Sequence, residues 1–283
     1  MPPMPELKSI APLSAATRVW FLDIWGVLHN GVRPFAGAVA ACQNFREQGG
    51  IVILVSNSPR PRDGVKRQLD HIGVAPSAYD AIVTSGDVSR GLIAAYSGRS
   101  VFHLGPERDS AIYDGTGALP VASGHADAIV CTGLFDDDRE TPADYTDRLA
   151  SFKARGLPMI CVNPDQTVER GGRIVYCAGA LAEAYEKLGG TVSYAGKPFA
   201  PIYAEAERVA ASLAGSPVAK ANILAIGDGV KTDILGAARA GIRSVYIASA
   251  VHAHANETLA HAAARLFPDP ALAPIGVMNG LRW

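Results

Sequence analysis

One stretch near the amino terminus constrains the fold more than any other part of the chain. The apolar run Val19–Leu22 leads directly into Asp23, and Gly26 follows three residues later. Four bulky apolar residues bounded by a glycine-containing turn are typical of a fully buried strand in a parallel sheet. In open α/β sheets, ligands bind beyond the carboxyl ends of the strands. The stretch therefore predicts a buried strand that delivers Asp23 to a candidate site.

Composition and charge narrow the class of protein. The chain has 283 residues, of which 48% are hydrophobic and 19% charged, enough for large cores and for two domains. A net charge of -1 without clustered Lys or Arg argues against a nucleic-acid partner. We find no signal-peptide pattern, and no apolar run approaches the ~20 residues that cross a bilayer, so no membrane partner is expected. Four scattered cysteines without metal-binding spacing predict buried free thiols in a cytoplasmic, reducing compartment.

Apolar runs and helical patterns alternate along most of the chain, and this alternation predicts parallel strands. We predict an α/β fold with a parallel core sheet formed by residues 1–87 and 190–283. A second α/β domain is predicted as an insertion at residues 88–189. The Pro- and Gly-rich tail from Pro268 onward is predicted to be irregular.

Four predicted strands of the core end in polar residues. In chain order these residues are Asp23, Ser56, Asn57, Lys197, Asp228 and Asp233. Ser-Asn and Asp-Gly are ordinary turn sequences when they stand alone, so the prediction depends on the set. Because the carboxyl ends of parallel strands share one edge, we expect these side chains to lie together, where a cation would offset the carboxylates. Carboxylates with phosphate suit Mg²⁺, and a lysine and a hydroxyl hold phosphate oxygens, which together predict phosphoryl transfer to an aspartate nucleophile.

The order of these motifs resembles that of the haloacid dehalogenase (HAD) superfamily. The motifs are D-x-x-G-V from Asp23, an apolar run ending in S-N, then G-K-P, then G-D-x-x-x-T-D. The predicted insertion, with Asn163-Pro164-Asp165 and later Cys177-Ala178-Gly179-Ala180, is similar to the type IIA cap domains. That branch contains nitrophenyl-, sugar- and nucleotide-phosphatases. The resemblance implies a Rossmann-like HAD core with an inserted cap.

The resemblance also implies a role for each residue that touches the substrate. Asp23 would be the nucleophile that forms an aspartyl-phosphate, and Ser56 would bind the transferring phosphoryl group with Asn57 close behind it. Lys197 would balance the charge of nucleophile and phosphate. In the cap, the loops around Asn163 and Asp165 and around Gly179-Ala180 would face the substrate.

The metal site implied by the resemblance uses oxygen ligands. Mg²⁺ would be bound by Asp23, by Asp228 and by the backbone carbonyl of Trp25. Asp233 would orient Lys197 or a water held by the metal. Asp233 is also placed to stabilise the amino terminus of a helix, and both roles are compatible.

Trp25 departs from the family pattern, which normally has a second aspartate at this position to protonate the leaving oxygen and activate water. General acid–base catalysis contributes about 10²–10⁴-fold, or roughly 3–5 kcal/mol. The sequence therefore predicts a phosphatase that is slow, depends on good leaving groups or takes its acid from elsewhere. His29 is one substitute to consider, because histidine titrates near neutrality, and the acidic run Asp136–Asp138 is another.

Three interpretations stay open at this point. The first is a Mg²⁺-dependent phosphohydrolase of a small sugar, polyol or nucleotide phosphate. The second is a dehalogenase or phosphonatase, classes that also lack the second aspartate, although retention of Asp228 and Asp233 argues against the metal-free dehalogenases. The third is a non-catalytic binder of phosphorylated metabolites. A dinucleotide-dependent dehydrogenase is excluded because no G-x-G-x-x-G follows the first strand. The sequence does not decide whether the chain forms a homo-oligomer.

Overall fold

The computed structural model describes residues 4–170, 173–248 and 259–283. The chain forms two compact units. Unit 1 comprises Met1–Ser56, Lys66–Val83 and Tyr203–Trp283, and unit 2 comprises Asn57–Val65 and Thr84–Ile202. Compared with the predicted insertion at 88–189, unit 2 also takes in residues 57–65, 84–87 and 190–202. The predicted domain boundaries themselves stay a prediction.

The strands and helices alternate along the described residues. The strands are β1 (Val19–Leu22), β2 (Ile51–Ser56), β3 (Ala81–Thr84), β4 (Ser100–Leu104), β5 (Leu119–Pro120), β6 (Ala128–Cys131), β7 (Met159–Cys161), β8 (Thr167–Arg170), β9 (Arg173–Tyr176), β10 (Val192–Tyr194), β11 (Ile223–Gly227), β12 (Arg243–Ile247) and β13 (Gly276–Met278). The α-helices are α1 (Ala11–Ser14), α2 (Ala36–Glu47), α3 (Arg62–Ile72), α4 (Ser85–Ala94), α5 (Thr146–Ala154), α6 (Ala178–Lys187), α7 (Ala200–Ala214), α8 (Leu235–Ala240) and α9 (Leu259–Leu266). Short 3₁₀-helices cover Pro76–Ala78, Glu107–Tyr113, Ser123–His125, Pro142–Tyr145, Lys220–Asn222 and Pro270–Leu272, and a π-helical turn covers Val230–Ile234.

Unit 1 contains a six-stranded sheet in the order β13-β12-β11-β1-β2-β3. The pairs of β1 with β2 and β11, and of β12 with β11 and β13, are parallel. All residues of β1 and β11 are buried, as expected for apolar strands covered on both faces. The ring of Trp20 stacks on Phe45 of α2 with 4.1 Å between centroids. This packing fixes the sheet whose carboxyl edge carries the candidate catalytic residues.

Unit 2 contains a five-stranded sheet in the order β10-β7-β6-β4-β5, and its pairs are parallel. Phe152 of α5 and Tyr185 of α6 pack with Ile129 and Met159 in a core on this sheet. The hairpin of β8 and β9 forms a separate antiparallel pair that the sequence analysis did not identify. The α/β class with parallel sheets is as predicted.

Two sequence predictions about strands are wrong. The strand before Lys197, β10, was assigned to the core sheet, but it pairs with β7 in the sheet of unit 2. Apolar patterning identifies a strand without identifying its partner, which tertiary packing selects. The tail was predicted to be irregular, yet β13 pairs with β12, and Gly276 allows Leu7 to approach its backbone closely.

All four cysteines are buried free thiols, as expected. Burial raises the pKa of Cys42 to about 12, so this thiol stays protonated near neutral pH. Within the described ranges, no helix has the length and apolar character needed to cross a bilayer.

Candidate active site

Asp23 and Ser56 lie at the carboxyl edge of the sheet in unit 1. Leu22 pairs with Leu54 on β2 and with Ile226 on β11, so Asp23 lies one residue beyond that row and Ser56 two residues beyond it. The Asp23 amide donates a hydrogen bond of 2.9 Å to the Ile226 carbonyl, which fixes the backbone. Both side chains are buried, with 8% of Asp23 and 4% of Ser56 exposed. The Asp23 carboxylate and the Ser56 hydroxyl are therefore carried by neighbouring strands at a buried edge of the sheet.

Asp228 and Asp233 reach the same edge from the end of β11. Carboxylate oxygens of Asp23, Asp228 and Asp233 all lie within 4.8 Å of one another. Asp233 lies in the π-helical turn that precedes α8, a distortion frequent at functional sites. Its Oδ2 accepts hydrogen bonds from the Gly229 amide (3.1 Å) and the Thr232 hydroxyl (3.2 Å). These bonds hold one carboxylate oxygen of Asp233 against the loop of residues 229–232.

Glycine at position 26 lets the loop that follows Asp23 approach Asp228 closely. Gly26 has φ +79°, and a Cβ built on it would lie 1.9 Å from Oδ2 of Asp228. Any side chain at position 26 would displace this carboxylate. The sequence analysis treated Gly26 only as a turn residue, and the close approach to a residue 202 positions later left no local signal.

The three carboxylates fit a hard divalent cation. Unshielded carboxylates this close repel one another, and Mg²⁺ and Ca²⁺ favour such oxygen ligands. Within the described parts of the chain, the other acidic group with comparable spacing is Asp136–Asp138, which is more exposed. The structure brings the carboxylates of Asp23, Asp228 and Asp233 together, while the binding of Mg²⁺ by Asp23, by Asp228 and by the Trp25 carbonyl stays a prediction.

In unit 2, the side chain of Asn57 fixes the backbone of Lys197. The Lys197 amide donates to Oδ1 of Asn57 (2.7 Å), and Nδ2 of Asn57 donates to the Lys197 carbonyl (3.0 Å). Nδ2 also donates to Oδ1 of Asp165 (2.8 Å). Asn57 and Lys197 are almost fully buried, with 4% and 3% exposed. The amide of Asn57 is thus engaged with Lys197 and Asp165, and its place behind Ser56 in the substrate site stays a prediction.

The predicted cap residues Asn163 and Asp165 form the turn after β7. Oδ1 of Asn163 accepts a hydrogen bond from the Asp165 amide (3.0 Å), and the Asp165 carbonyl accepts one from the Gly179 amide (3.1 Å). A Cβ at Gly179 would lie 2.2 Å from the Pro164 carbonyl oxygen. The two segments named from sequence therefore contact each other, and Asp165 joins them to Asn57.

Trp25 is held by two neighbours in its own loop. Its ring meets His29 edge-on with 5.0 Å between centroids, and a Cβ at Gly31 (φ +85°) would lie 2.5 Å from the indole. Nδ1 of His29 accepts a hydrogen bond from the Gly31 amide (2.8 Å). His29 is buried, and desolvation lowers its pKa to about 4, so its ring is neutral near pH 7. His29 therefore offers no imidazolium proton to a leaving group at that pH.

The acidic run Asp136–Asp138 is largely paired with arginines. Asp137 forms ion pairs with Arg108 and with Arg170, the latter at 2.8 Å. Longer ion pairs join Asp136 to Arg139 (3.7 Å) and Asp138 to Arg173 (3.9 Å). This pairing stabilises the loop of unit 2 and gives no support to a role as the missing acid.

Two family models match the segments of the chain that contain the residues of the candidate site. A model of haloacid dehalogenase-like hydrolases matches residues 20–118, and a HAD-hydrolase-like model matches residues 194–271. These segments contain Asp23, Ser56, Lys197, Asp228 and Asp233. No curated protein matches the sequence.

Solved structures match 90% or more of the chain. A haloacid dehalogenase-like hydrolase from Brucella suis is 47% identical, with 90% of this chain and 95% of that chain covered and a TM-score of 0.83. A 4-nitrophenylphosphatase from Thermotoga maritima is 22% identical, with coverage of 95% and 96% and a TM-score of 0.71. A glycerol phosphate phosphatase from Mycobacterium tuberculosis, solved with calcium and also with magnesium, is 23% identical in the calcium complex, with coverage of 96% and 72% and a TM-score of 0.69. The last two support the fold, and the first shows the family. The resemblance seen in the motifs is confirmed: the chain belongs to the haloacid dehalogenase-like hydrolases.

Proposed function

We propose that this hydrolase is a Mg²⁺-dependent phosphatase that transfers the phosphoryl group of a small phosphate monoester to Asp23. The observation that carries the proposal is the group of three carboxylates at the edge of the unit 1 sheet, with Ser56 on the neighbouring strand. The 4-nitrophenylphosphatase and the glycerol phosphate phosphatase among the structural relatives support this chemistry. Buried free thiols are consistent with the predicted cytoplasmic location, which stays part of the proposal.

Each residue has a defined part in the proposed reaction. Asp23 attacks phosphorus, a bond forms between its carboxylate oxygen and phosphorus, and the ester oxygen leaves with the electron pair of the broken bond. Ser56 donates a hydrogen bond to the transferring group, and Lys197 balances its charge. When bound by Asp23 and Asp228, Mg²⁺ supplies positive charge that offsets the charge of the phosphoryl group. Water then hydrolyses the aspartyl-phosphate.

Protonation of the leaving oxygen is expected to limit the rate of the proposed reaction. Trp25 cannot donate a proton to an alkoxide, and His29 is neutral near pH 7. Aryl phosphates leave as stable phenolates and need little protonation, whereas alkyl phosphates need a general acid worth about 10²–10⁴-fold. We therefore expect turnover that depends strongly on the leaving group. Asp228 and Asp233 disfavour the alternative of a metal-free dehalogenase, since both carboxylates are retained in the group that fits a cation.

The decisive experiment measures phosphate release from 4-nitrophenyl phosphate and from alkyl phosphates, with Mg²⁺ and with EDTA. Asp23→Asn is compared with Asp70→Asn, which changes an exposed aspartate of unit 1 that pairs with Lys66. Release that requires Mg²⁺, disappears in Asp23→Asn and persists in Asp70→Asn supports the proposal.

Three other results would contradict parts of the proposal. No release from any ester, together with phosphate binding to the wild-type protein, refutes the phosphatase and favours the non-catalytic binder. Release that persists in EDTA refutes the role of Mg²⁺ while leaving a hydrolase. Equal turnover of aryl and alkyl esters refutes the consequence drawn from Trp25.

A further inference from the structure

The loop that follows Asp23 meets the carboxylates of unit 1 at Gly26. A Cβ on Gly26 would lie 1.9 Å from Oδ2 of Asp228, and Trp25 directly precedes this contact. The indole of Trp25 carries one N–H donor and has no atom that accepts a proton. Position 25 therefore contributes no base to the part of the loop that lies against the carboxylates.

His29 is the second ring in this loop, and its hydrogen bonding excludes it as a proton acceptor. The residue is 1% exposed, and its Nδ1 accepts a hydrogen bond of 2.8 Å from the Gly31 amide. In a neutral imidazole one nitrogen accepts and the other carries the proton, so the proton of His29 is on Nε2. Neither nitrogen is then available to take a proton from a water molecule.

Asp228 and Asp233 are the two carboxylates grouped with the proposed nucleophile in the parts of the chain that the structure describes. Oδ2 of Asp233 accepts hydrogen bonds from the Gly229 amide and the Thr232 hydroxyl. Oδ1 of Asp233 lies against the backbone of Gly227, where a Cβ would be 2.6 Å from it. Asp228 is a proposed ligand of a cation, and a neighbouring positive charge makes a carboxylate a poor base. Both side chains are thus committed to holding the site.

The two halves of the proposed reaction need a base to different degrees. In the first half, the attacking carboxylate of Asp23 is already an anion, and a phenolate leaves with the electron pair of the broken bond. In the second half, a neutral water forms the new bond to phosphorus and must lose a proton. The bond between phosphorus and Asp23 breaks, and its electron pair returns to the carboxylate. General base catalysis contributes about 10²–10⁴-fold to such a step, so its loss slows the second half selectively.

We propose that the protein holds the phosphoryl group of an aryl phosphate as a long-lived aspartyl-phosphate on Asp23, because the described residues of unit 1 provide no base to activate water. This inference rests on the proposed phosphatase function and identifies its slow step. The proton of the attacking water passes to the solvent. During turnover of an aryl phosphate, the phosphorylated form of the protein predominates.

The first experiment mixes the protein with Mg²⁺ and 4-nitrophenyl phosphate that carries a radiolabelled phosphoryl group. A burst of about one nitrophenolate per protein molecule is expected before a slower steady rate. Protein quenched in acid during the steady state is expected to carry the label. Hydroxylamine cleaves an acyl phosphate and leaves a phosphoserine intact, so loss of the label in hydroxylamine distinguishes Asp23 from Ser56.

The second experiment measures how fast the label is lost after a chase with unlabelled substrate. Trp25→Asp places a carboxylate in the loop, and this variant is expected to lose the label about 10²–10⁴-fold faster than the wild type. Trp25→Asn opens the same space without supplying a base, and it is expected to lose the label at close to the wild-type rate. Because the two new side chains have nearly the same size, their difference measures proton transfer separately from the access of water.

Phe35→Asp is the control for adding a carboxylate to unit 1. Phe35 is 37% exposed and is the N-cap residue of α2, a position that favours aspartate. This variant is expected to keep the burst and the rate of label loss of the wild type. Thermal unfolding of each variant identifies any that misfold, and the burst and the label are measured on the wild-type protein independently of them.

The outcomes separate this inference from the proposed function. Steady release of nitrophenolate without a burst and without label on the protein overturns the inference and leaves the phosphatase standing. Equally fast loss of the label from Trp25→Asp and Trp25→Asn overturns the assignment of the slow step to a missing base. No release of nitrophenolate by the wild type overturns the phosphatase, and the inference falls with it.

Discussion

Replacing Gly26 by alanine tests whether the loop that follows Asp23 holds Asp228 in place. The new Cβ would lie 1.9 Å from Oδ2 of Asp228, whereas carbon–oxygen contacts are about 3.3 Å or longer. The carboxylate must therefore move by about 1 Å or more. A displacement of this size in a catalytic group lowers the rate about 10²-fold. Because Asp228 is a proposed metal ligand, the Mg²⁺ concentration for half-maximal activity is expected to rise as well.

Gly49→Ala is a matched control for the backbone strain. Gly49 has φ +85°, close to the +79° of Gly26, but an added Cβ there would meet no atom within 4 Å. Alanine in this left-handed region costs about 1–2 kcal/mol in either position. That cost corresponds to about 2–8 °C in the unfolding midpoint of a domain of this size. The two variants should share this loss of stability, and only Gly26→Ala should lose turnover.

The assay follows 4-nitrophenyl phosphate hydrolysis over a range of Mg²⁺ concentrations, with thermal unfolding of each variant measured in parallel. Gly26→Ala that keeps kcat and Mg²⁺ dependence within about threefold of Gly49→Ala would refute the reasoning. The contact between Gly26 and Asp228 would then be structural without an effect on the metal site.

Three further predictions concern single side chains. Trp25→Asp is expected to raise turnover of alkyl phosphates by up to about 10²–10⁴-fold relative to aryl phosphates, measured as the ratio of the two kcat values; an unchanged ratio would mean that leaving-group protonation is not limiting. Asn57→Ala removes the hydrogen bonds to Lys197 and Asp165 and is expected to lower the free energy of unfolding by about 2–4 kcal/mol in urea titrations. The pKa of His29 is about 4 in the folded protein and 6.5 in the unfolded chain, because burial disfavours the charged ring. The stability that follows from this difference is fully present above pH 6.5. As the pH falls toward 4, the free energy of unfolding is expected to decrease by up to about 3 kcal/mol. His29→Asn, which keeps an acceptor in place of Nδ1, should flatten this pH dependence of stability, and an equally steep decline would assign it to other groups.

The carboxylates of the candidate site were predictable from sequence because they depend on local rules. Asp23 and Asp228 follow fully apolar strands, and such strands lie side by side in a buried parallel sheet. Their carboxyl ends then share an edge whatever the order of the other strands. Asp233 lies near the same edge because it follows Asp228 by five residues, in the turn after β11. These predictions needed no knowledge of pairing over long distances.

The position of Lys197 was not predictable in this way. Its strand, β10, has only three residues and shows no feature that assigns it to one sheet rather than the other. Its backbone is fixed instead by the side chain of Asn57, 140 residues earlier in the chain. The sequence identified Asn57 as polar and near the site, but its engagement with Lys197 and Asp165 depends on tertiary packing.

Trp25, which departs from the family pattern, packs against other residues of its own loop. The indole needs the bare backbone of Gly31, because a Cβ there would lie 2.5 Å from the ring. The indole also meets the ring of His29 edge-on, and the Gly31 amide donates a hydrogen bond to Nδ1 of that ring. Any residue other than glycine at position 31 would clash with the indole of Trp25. The loop is therefore shaped to hold an aromatic side chain close to Asp23 in the sequence. In the proposed reaction, this arrangement would favour leaving groups that need little protonation.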